Sequence, residues 1–169
     1  MIIAPTPELS GHIVHISGGV AGVYQTIAAM RNLVNQYKID PLIRQSATSA
    51  IFLTPEKDDL SEVAALFSVV RDGCRYTKDI FGIETLSSPD KTLIGKIGDC
   101  DDQSTLLAAL LESVGYPTRF VIAGYHGQDY EHVYLQVWAA DQWIDLDPTE
   151  PHPMGWEPPG ATVKAVEVV

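Results

Sequence analysis

Apolar residues in the first half of the chain recur at helical spacing. In the first such segment they lie three or four positions apart, at Ile27, Met30, Leu33, Val34 and Tyr37. Pro41 and Pro55 each stand where a proline suits the first turn of a following helix. The pattern predicts three helices, at about 21–38, 41–52 and 54–75, which together form an N-terminal helical layer within residues 17–75.

The next stretch, residues 76–99, has no sustained helical or strand period. Glycine or proline interrupts it at positions 82, 89, 95 and 98. We therefore expect a long ordered loop here. Loops of this length are usually either functional or disordered.

A strongly apolar helical pattern begins at Asp99. Its buried face consists of Leu106, Leu107, Leu110, Leu111 and Val114. Gly115 suits the residue that follows a helix, and Pro117 prevents its continuation. We predict a helix over residues 99–115.

Three segments with strand character follow, at about 118–123, 131–139 and 142–147. The last two flank Ala140-Asp141, which fits a two-residue hairpin turn. This turn predicts a register in which Trp138 lies opposite Trp143, as a cross-strand aromatic pair.

The C-terminal part of the chain is rich in proline. Residues 148–160 contain five prolines and two glycines, so we expect an extended surface segment, followed by an edge strand at 162–169. We expect the whole chain, residues 1–169, to form one domain, with its core region at 76–150 and a proline-rich extended tail at 151–169.

Composition and charge narrow the class of protein. The chain has 169 residues, of which 46% are hydrophobic, and its 11 Lys and Arg against 22 Asp and Glu give a net charge of −11. An acidic chain lacks the positive field that binds phosphate groups, so nucleic acid and anionic membranes are unfavourable partners. No apolar run reaches the ~18–20 residues of a membrane span. We expect a soluble protein without a visible secretory signal.

Cys100 lies at the start of the predicted helix of residues 99–115. A thiol there meets unpaired backbone N–H groups and the positive end of the helix dipole, and both favour the thiolate. The ordinary alternative is a small buried apolar residue. That alternative describes Cys74, which lies in the apolar stripe of the third predicted helix.

The predicted hairpin places a histidine and an aspartate on one face. His132 is the diagonal neighbour of Asp147, within side-chain reach, while Asp145 lies one step farther away. Each residue alone has an ordinary explanation, His132 as a half-exposed strand residue and Asp147 as a turn former. Together with Cys100 they form the nucleophile, base and orienting carboxylate that acyl transfer needs.

Three carboxylates flank the thiol, at Asp99, Asp101 and Asp102. They oppose a thiolate by like-charge repulsion, and we expect Asp99 and Asp102 to modulate the pKa of Cys100. One interpretation is that they complement the helix dipole, in which case no cofactor is required. The other is that they bind Ca²⁺ through their oxygens.

The chain resembles a transglutaminase-like domain over residues ~76–150. The motifs are Gly98-Asp99-Cys100-Asp101-Asp102, His132-Val133-Tyr134 and Trp143-Ile-Asp-Leu-Asp147-Pro148. The resemblance implies an α+β fold of the papain and transglutaminase type, with the N-terminal helices and the cysteine helix packed on an antiparallel sheet. It assigns Cys100 as nucleophile, His132 as general base and Asp147 as orienting carboxylate. Similar acidic flanks in some bacterial cysteine proteases of this type also imply Ca²⁺.

The leading helices, with the Arg75-Tyr76, Ser88-Pro89 and Thr92-Leu93 pattern, further resemble small stand-alone members encoded by bacteriophages and prophages. This resemblance supports, as one alternative, a virion or assembly protein that uses the fold as an interaction module. The compartment stays open, with a cytoplasmic and a phage-associated location as the candidates.

The function expected from these residues is cysteine-dependent acyl transfer on a protein or peptide substrate. Hydrolysis of an amide is the first interpretation and cross-linking by a transglutaminase is an alternative. We expect the backbone N–H of Cys100 to form part of the oxyanion hole. Tyr76 is the candidate second donor, and Tyr134 and Trp143 are candidate substrate contacts.

Overall fold

The computed structural model describes residues 19–78, 85–127 and 129–169. Its helices are α1 (Val20–Tyr37), α2 (Pro41–Ile51), α3 (Asp59–Arg71), α4 (Pro89–Gly95) and α5 (Cys100–Ser113). Its strands are β1 (Arg75–Tyr76), β2 (Ile97–Gly98), β3 (Thr118–Gly124), β4 (His132–Ala139), β5 (Gln142–Leu146) and β6 (Val163–Val168). Within these ranges, no helix is long and apolar enough to cross a membrane.

The three predicted N-terminal helices are present, and side-chain caps explain where two of them start. Asp40 accepts hydrogen bonds from the backbone N–H groups of Leu42 and Ile43, and Pro41 takes the first helical position. Asp58 caps α3 by accepting from the N–H of Ser61 at 3.1 Å. The third helix therefore begins at Asp59, later than the proline at position 55 suggested.

The prediction of one long loop over residues 76–99 is wrong for its described part. Tyr76 and the residue before it form β1, which pairs in parallel with β2, and α4 lies between the two strands. Lys96 ends α4 in the left-handed conformation, at φ 56°. The rest of this predicted loop, residues 79–84, lies outside the described residues.

The main sheet has four antiparallel strands in the order β5-β4-β3-β6. The predicted hairpin register is confirmed, with Trp138 opposite Trp143. Ala140 and Asp141 both have positive φ, at 49° and 60°, as a type I′ turn requires. The predicted C-terminal edge strand is confirmed as β6, which pairs with β3.

Helix α5 lies at the centre of the molecule. All residues from 102 to 111 are buried, and the helix packs against α1, α2, α3 and α4 as well as β3 and β4. The sheet presents one apolar face to it, made of Phe120, Ile122, Val133, Leu135, Val137, Ile144 and Leu146. This helix-on-sheet core is the α+β arrangement expected from the sequence.

The opposite face of the sheet is polar but largely covered. Gln136 accepts from Arg119 and donates to Asp145, each at 2.7 Å. The proline-rich segment folds back here, since the N–H of Gly155 donates to the carbonyl of Asp145. Glu157 accepts from the hydroxyl of Tyr134 at 3.1 Å. The segment after β5 therefore packs against the sheet and covers part of its polar face.

The paired tryptophans of the hairpin give a prediction for stability. The rings of Trp138 and Trp143 meet edge to face with centroids 5.5 Å apart, and the Arg119 guanidinium lies 4.0 Å from the Trp143 ring centroid. Trp143→Ala should lower the free energy of unfolding in urea by about 1–2 kcal/mol, because it removes both contacts. Trp138→Ala removes only the aromatic pair and should cost less. If the urea midpoint of Trp143→Ala equals that of the wild type, Trp143 does not stabilise the fold through these contacts.

Candidate active site

Cys100 is the first residue of α5, and its position is fixed by the cap before it. The Asp99 carboxylate accepts hydrogen bonds from the N–H groups of Asp101 and Asp102, at 3.1 and 3.2 Å. The N–H of Cys100 belongs to the same first turn, whose N–H groups have no carbonyl partner within the helix. An oxyanion at this position would therefore find a backbone donor beside the thiol.

Gly98 allows strand β2 to approach this turn closely. A Cβ atom added at Gly98 would lie 2.6 Å from the Cβ of Asp102, a distance that real side chains do not adopt. The Gly98 carbonyl also accepts from the N–H of Thr77, which follows β1. The small β1–β2 pair is thus held directly against the N-terminus of α5.

His132 and Asp147 form a short hydrogen bond at the other side of the site. The distance from His132 Nε2 to Asp147 Oδ2 is 2.7 Å, and the Asp147 side chain is 1% exposed. Thr149 donates its N–H and its hydroxyl to Asp147 Oδ1, at 3.0 and 2.7 Å. Both carboxylate oxygens are engaged, so the imidazole is oriented through Nε2 and its Nδ1 is left for another partner.

The choice of carboxylate agrees with the sequence argument. Asp145 accepts from Gln136 instead of His132, and burial raises the pKa of Asp145. Asp147, the residue expected from the diagonal position, is the partner of His132.

Helix α5 and strand β4 are joined beside these groups. Ser104 donates its hydroxyl to the carbonyl of Val133 at 3.2 Å, and the backbone of Val133 lowers the pKa of the Cys100 thiol. The thiol therefore lies at the start of β4, next to the residue that follows His132. In the described part of the chain the thiol donates to Asp101 Oδ1 at 3.4 Å, and no hydrogen bond joins it to His132.

The environment of Cys100 favours the protonated thiol. Burial raises its pKa above the ordinary value of 9.0, and the negative charges of Asp101 and Asp99 raise it further. The backbone of Val133 lowers the pKa but does not offset burial. Desolvation and the two carboxylates therefore oppose the effect of the helix terminus, which favours the thiolate.

The acidic residues around the thiol have separate tasks. Of the two residues expected to modulate the pKa of Cys100, Asp99 raises it, whereas the leading carboxylate is Asp101 and not Asp102. Asp102 is 6% exposed and accepts from the N–H of Ser87 at 2.6 Å. It ties the segment before α4 to the first turn of α5.

The predicted calcium ligands do not form a metal site as placed. Asp99 caps the helix, Asp101 accepts from the thiol, and Asp102 holds Ser87. Among the residues that the structure describes, no three His, Cys, Asp or Glu side chains converge as metal ligands would. The three aspartates expected to bind Ca²⁺ are therefore not arranged as a calcium site in this structure.

Tyr76 lies close to the candidate nucleophile. It pairs in register with Gly98, two residues before Cys100. Burial, followed by the proximity of Cys100 and the negative charge of Asp99, raises the pKa of Tyr76 to about 12. The phenol therefore keeps its proton at neutral pH, as a hydrogen-bond donor must.

Of the two residues expected to contact substrate, one is buried and the other is distant from His132. Tyr134 is 1% exposed and its hydroxyl donates to Glu157, so the folded segment after β5 covers it. Trp143 lies opposite Trp138. Trp138 is six residues from His132 along β4, which corresponds to about 20 Å between these two residues. These placements argue against a substrate contact for either residue.

Sequence reasoning missed the buried polar residues of α5. Gln103 is 1% exposed and donates through Nε2 to the Gly98 carbonyl at 2.9 Å, and Ser104 bonds Val133. Their signal was available as a polar run, Gln-Ser-Thr at 103–105, inside an otherwise apolar buried helix.

The family model of the transglutaminase-like superfamily matches residues 46–148, more than half of the chain. The chain belongs to this superfamily. The match includes all three residues of the candidate site, Cys100, His132 and Asp147. No curated protein sequence matches this transglutaminase-like chain significantly.

Solved structures share the transglutaminase-like fold at low sequence identity. A candidate cysteine protease from Cytophaga hutchinsonii is 16% identical, with a TM-score of 0.56 over 83% of this chain and 52% of that one. This chain thus spans about half the length of that protein. LapG of Legionella pneumophila, in a calcium-bound structure, is 17% identical, with a TM-score of 0.57 over 84% of this chain and 87% of LapG. Rad4–Rad23 bound to a 6-4 photoproduct UV lesion is 13% identical, with a TM-score of 0.51 over 79% and 39%.

The charge of Asp101 gives a prediction for thiol reactivity. Asp101→Asn removes the nearest like charge and a carboxylate that accepts from the neutral thiol. The pH midpoint of Cys100 alkylation by iodoacetamide, followed by peptide mass mapping, should move down by about one unit. Asp141→Asn makes the same charge change at the distant hairpin turn and should leave the midpoint in place. An unchanged or higher midpoint in Asp101→Asn would refute the role of this carboxylate.

Proposed function

We propose that this protein catalyses acyl transfer at amide bonds of proteins or peptides, with hydrolysis as its reaction. In this proposal Cys100 is the nucleophile, His132 is the general base and acid, and Asp147 orients His132. The observation that carries it is the 2.7 Å hydrogen bond from His132 to the buried Asp147, on the strand that Ser104 of the Cys100 helix joins at Val133. Membership of the transglutaminase-like superfamily supports the same assignment.

The first half of the reaction follows from the protonation states of the site. As substrate enters, the Cys100 thiol gives its proton to Nδ1 of His132, and the sulfur forms a bond to the amide carbonyl carbon. The N–H of Cys100 donates to the oxyanion, with the Tyr76 hydroxyl as second donor. The imidazolium then gives its proton to the leaving amine as the C–N bond breaks, which leaves a thioester on Cys100.

Water completes the cycle. His132 accepts a proton from water, whose oxygen attacks the thioester, and the carbon–sulfur bond breaks to release the acid. The thiolate then takes the proton back from the imidazolium. Asp147 stabilises the imidazolium in both halves and keeps Nε2 protonated, so that Nδ1 remains the nitrogen that exchanges protons.

The residues of the site, rather than the fold, favour an enzyme over a binding module. Rad4–Rad23, bound to a DNA lesion, has a related fold, so the fold by itself does not indicate a reaction. A net charge of −11 is unfavourable for nucleic acid. A purely structural role for this chain, in a phage particle or elsewhere, gives no reason for a histidine held by a buried carboxylate beside a thiol.

The assignment predicts linked losses on substitution. With fluorescently labelled casein as substrate, Cys100→Ser and His132→Ala should each lower kcat/KM by about 1,000-fold or more. Asp147→Asn should lower it by about 100-fold or more, because the amide no longer fixes the imidazole. His132→Ala should also slow iodoacetamide alkylation of Cys100, with Cys74 as the internal reference thiol. Asp141→Asn should match the wild type in both assays.

Two outcomes would contradict the proposal in different ways. Alkylation of Cys100 at the same rate with and without His132 would remove the catalytic pair. Incorporation of an added primary amine into the product, in preference to water, would replace hydrolysis by transglutaminase chemistry with the same residues.

A further inference from the structure

The two edge strands of the main sheet differ in how the rest of the chain covers them. At β5 the carbonyl of Asp145 points away from β4, and the N–H of Gly155 donates to it at 2.8 Å. At the other end of the sheet, β6 pairs with β3 alone. In the described ranges, no other backbone group forms a hydrogen bond along the outer side of β6. An open edge of this kind is a template for a further strand.

The register of β6 shows which backbone groups are open. The N–H of Val169 donates to the carbonyl of Thr118, in line with the pairing of β6 and β3. Every second residue counted back from Val169 therefore turns its N–H and C=O towards β3. The residues between them, Lys164, Val166 and Val168, turn theirs outward. These three residues can form six hydrogen bonds with one antiparallel strand.

The side chains of these three residues do not protect the edge. Val166 and Val168 are 42% and 64% exposed. A lysine commonly blocks an open edge with its charge. Lys164, however, donates to Glu157 and lies over the ring of Tyr134, so its charge is already paired within the molecule. The outward part of the strand is therefore mainly apolar.

Helix α1 adds a nearly uncharged surface beside this edge. It adjoins β6 through Arg31, whose guanidinium lies 4.0 Å from the carboxylate of Glu167. Arg31 is also the only charged residue of α1. In a chain with a net charge of −11, such a surface is where a second copy meets the least repulsion. Charged residues are likewise depleted at the centres of protein interfaces.

A two-fold axis restricts how a second copy can pair with β6. Directly opposed residues of an antiparallel pair have their side chains on the same face, so the two copies must oppose residues of one face. Only the register centred on Val166 engages all three outward residues. It places Val166 opposite its counterpart and Lys164 opposite Val168. On the other face, Ala165 opposes Glu167. No like charges are directly opposed in this register, and the two Val166 side chains bury each other.

We propose that β6 is a self-association edge of this protein and that its partner is a second copy of the same chain. Two molecules pair their β6 strands antiparallel about a two-fold axis at Val166, which joins two four-stranded sheets into one. The proposal is independent of the proposed function, because the pairing uses neither Cys100 nor His132. The interface is small and both copies are acidic. Association therefore depends on protein concentration and becomes stronger when salt screens the charges.

Sedimentation equilibrium of the full chain tests the association. Between about 5 and 500 µM protein, the average mass should rise from that of the monomer towards twice that value. Raising NaCl from about 0.05 to 0.5 M should move the midpoint to an about threefold lower concentration. Val166→Lys opposes two ammonium groups at the axis and should weaken association about tenfold or more. Ile39→Lys, the same type of change at a 71% exposed site after α1, is the matched control and should associate like the wild type.

Hydrogen exchange followed by NMR tests the register without any variant. The amide protons of Lys164, Val166 and Val168 should exchange fast at low protein concentration and slowly in the dimer. Those of Ala165 and Glu167 should be protected at every concentration, because they donate to β3. A mixture of labelled and unlabelled chains should also show a contact between the Hα atoms of Ala165 and Glu167 of two different molecules, since the Cα atoms of such a pair lie about 4.5 Å apart.

Several results would overturn the proposal. A monomer at every concentration and salt would remove the association itself. A dimer that Val166→Lys and Ile39→Lys affect equally, or one in which Val166 still exchanges fast, would place the interface elsewhere. Slow exchange of Val166 in a monomer would show that another segment of the same chain already pairs with this edge.

Discussion

The candidate site depends on the burial of helix α5 along most of its length. Ten consecutive residues, 102–111, are buried, with the N-terminal helices on one side and the sheet on the other. Each buried leucine of this helix stabilises the fold by about 1.5–3 kcal/mol relative to an exposed one. A helix packed on all sides has no freedom to slide or rotate, so its first residue, Cys100, is fixed relative to β4. The hydrogen bond from Ser104 to Val133 also fixes the distance between the start of α5 and strand β4.

Burial has a chemical consequence, because a desolvated thiol beside carboxylates resists ionisation. The structure raises the pKa of Cys100 at the position where the proposed reaction needs a thiolate. This favours a mechanism in which the proton leaves only as the sulfur attacks, and it makes the acceptor decisive. His132 is suited to that task because Asp147 and Thr149 form a closed set of hydrogen bonds behind it. The carboxylate can stabilise a positive imidazolium and cannot turn away from it.

Local signals predicted the parts of this arrangement that short stretches of sequence determine. Ala140-Asp141 fixed the hairpin register, and with it the pairing of His132 with Asp147 rather than Asp145. The leucine pattern of α5 predicted both the buried helix and its start next to Cys100. The roles of the three residues came from the family resemblance together with that register, since composition alone contains no such information.

The features that were missed depend on contacts between distant segments. A seven-residue helix and two-residue strands are too short to show a period, and β1 and β2 exist because Arg75 and Thr77 donate to carbonyls about 20 residues away. Tyr134 was expected at the substrate because alternation along β4 cannot reveal that Glu157 and its neighbours cover that face. Asp102 was expected to modulate the pKa of Cys100. Its hydrogen bond to Ser87 joins two segments that sequence alone does not connect, so this partner could not be predicted.

The central claim is that folding alone holds His132 with Nε2 on Asp147 and leaves Nδ1 for the thiol. Long-range ¹H–¹⁵N correlation NMR of the imidazole measures this directly in the protein without substrate. We expect the neutral imidazole to carry its proton on Nε2 and none on Nδ1, and this single tautomer to be lost in Asp147→Asn. A neutral imidazole with its proton on Nδ1 in the wild type, or an identical spectrum in Asp147→Asn, would contradict this arrangement.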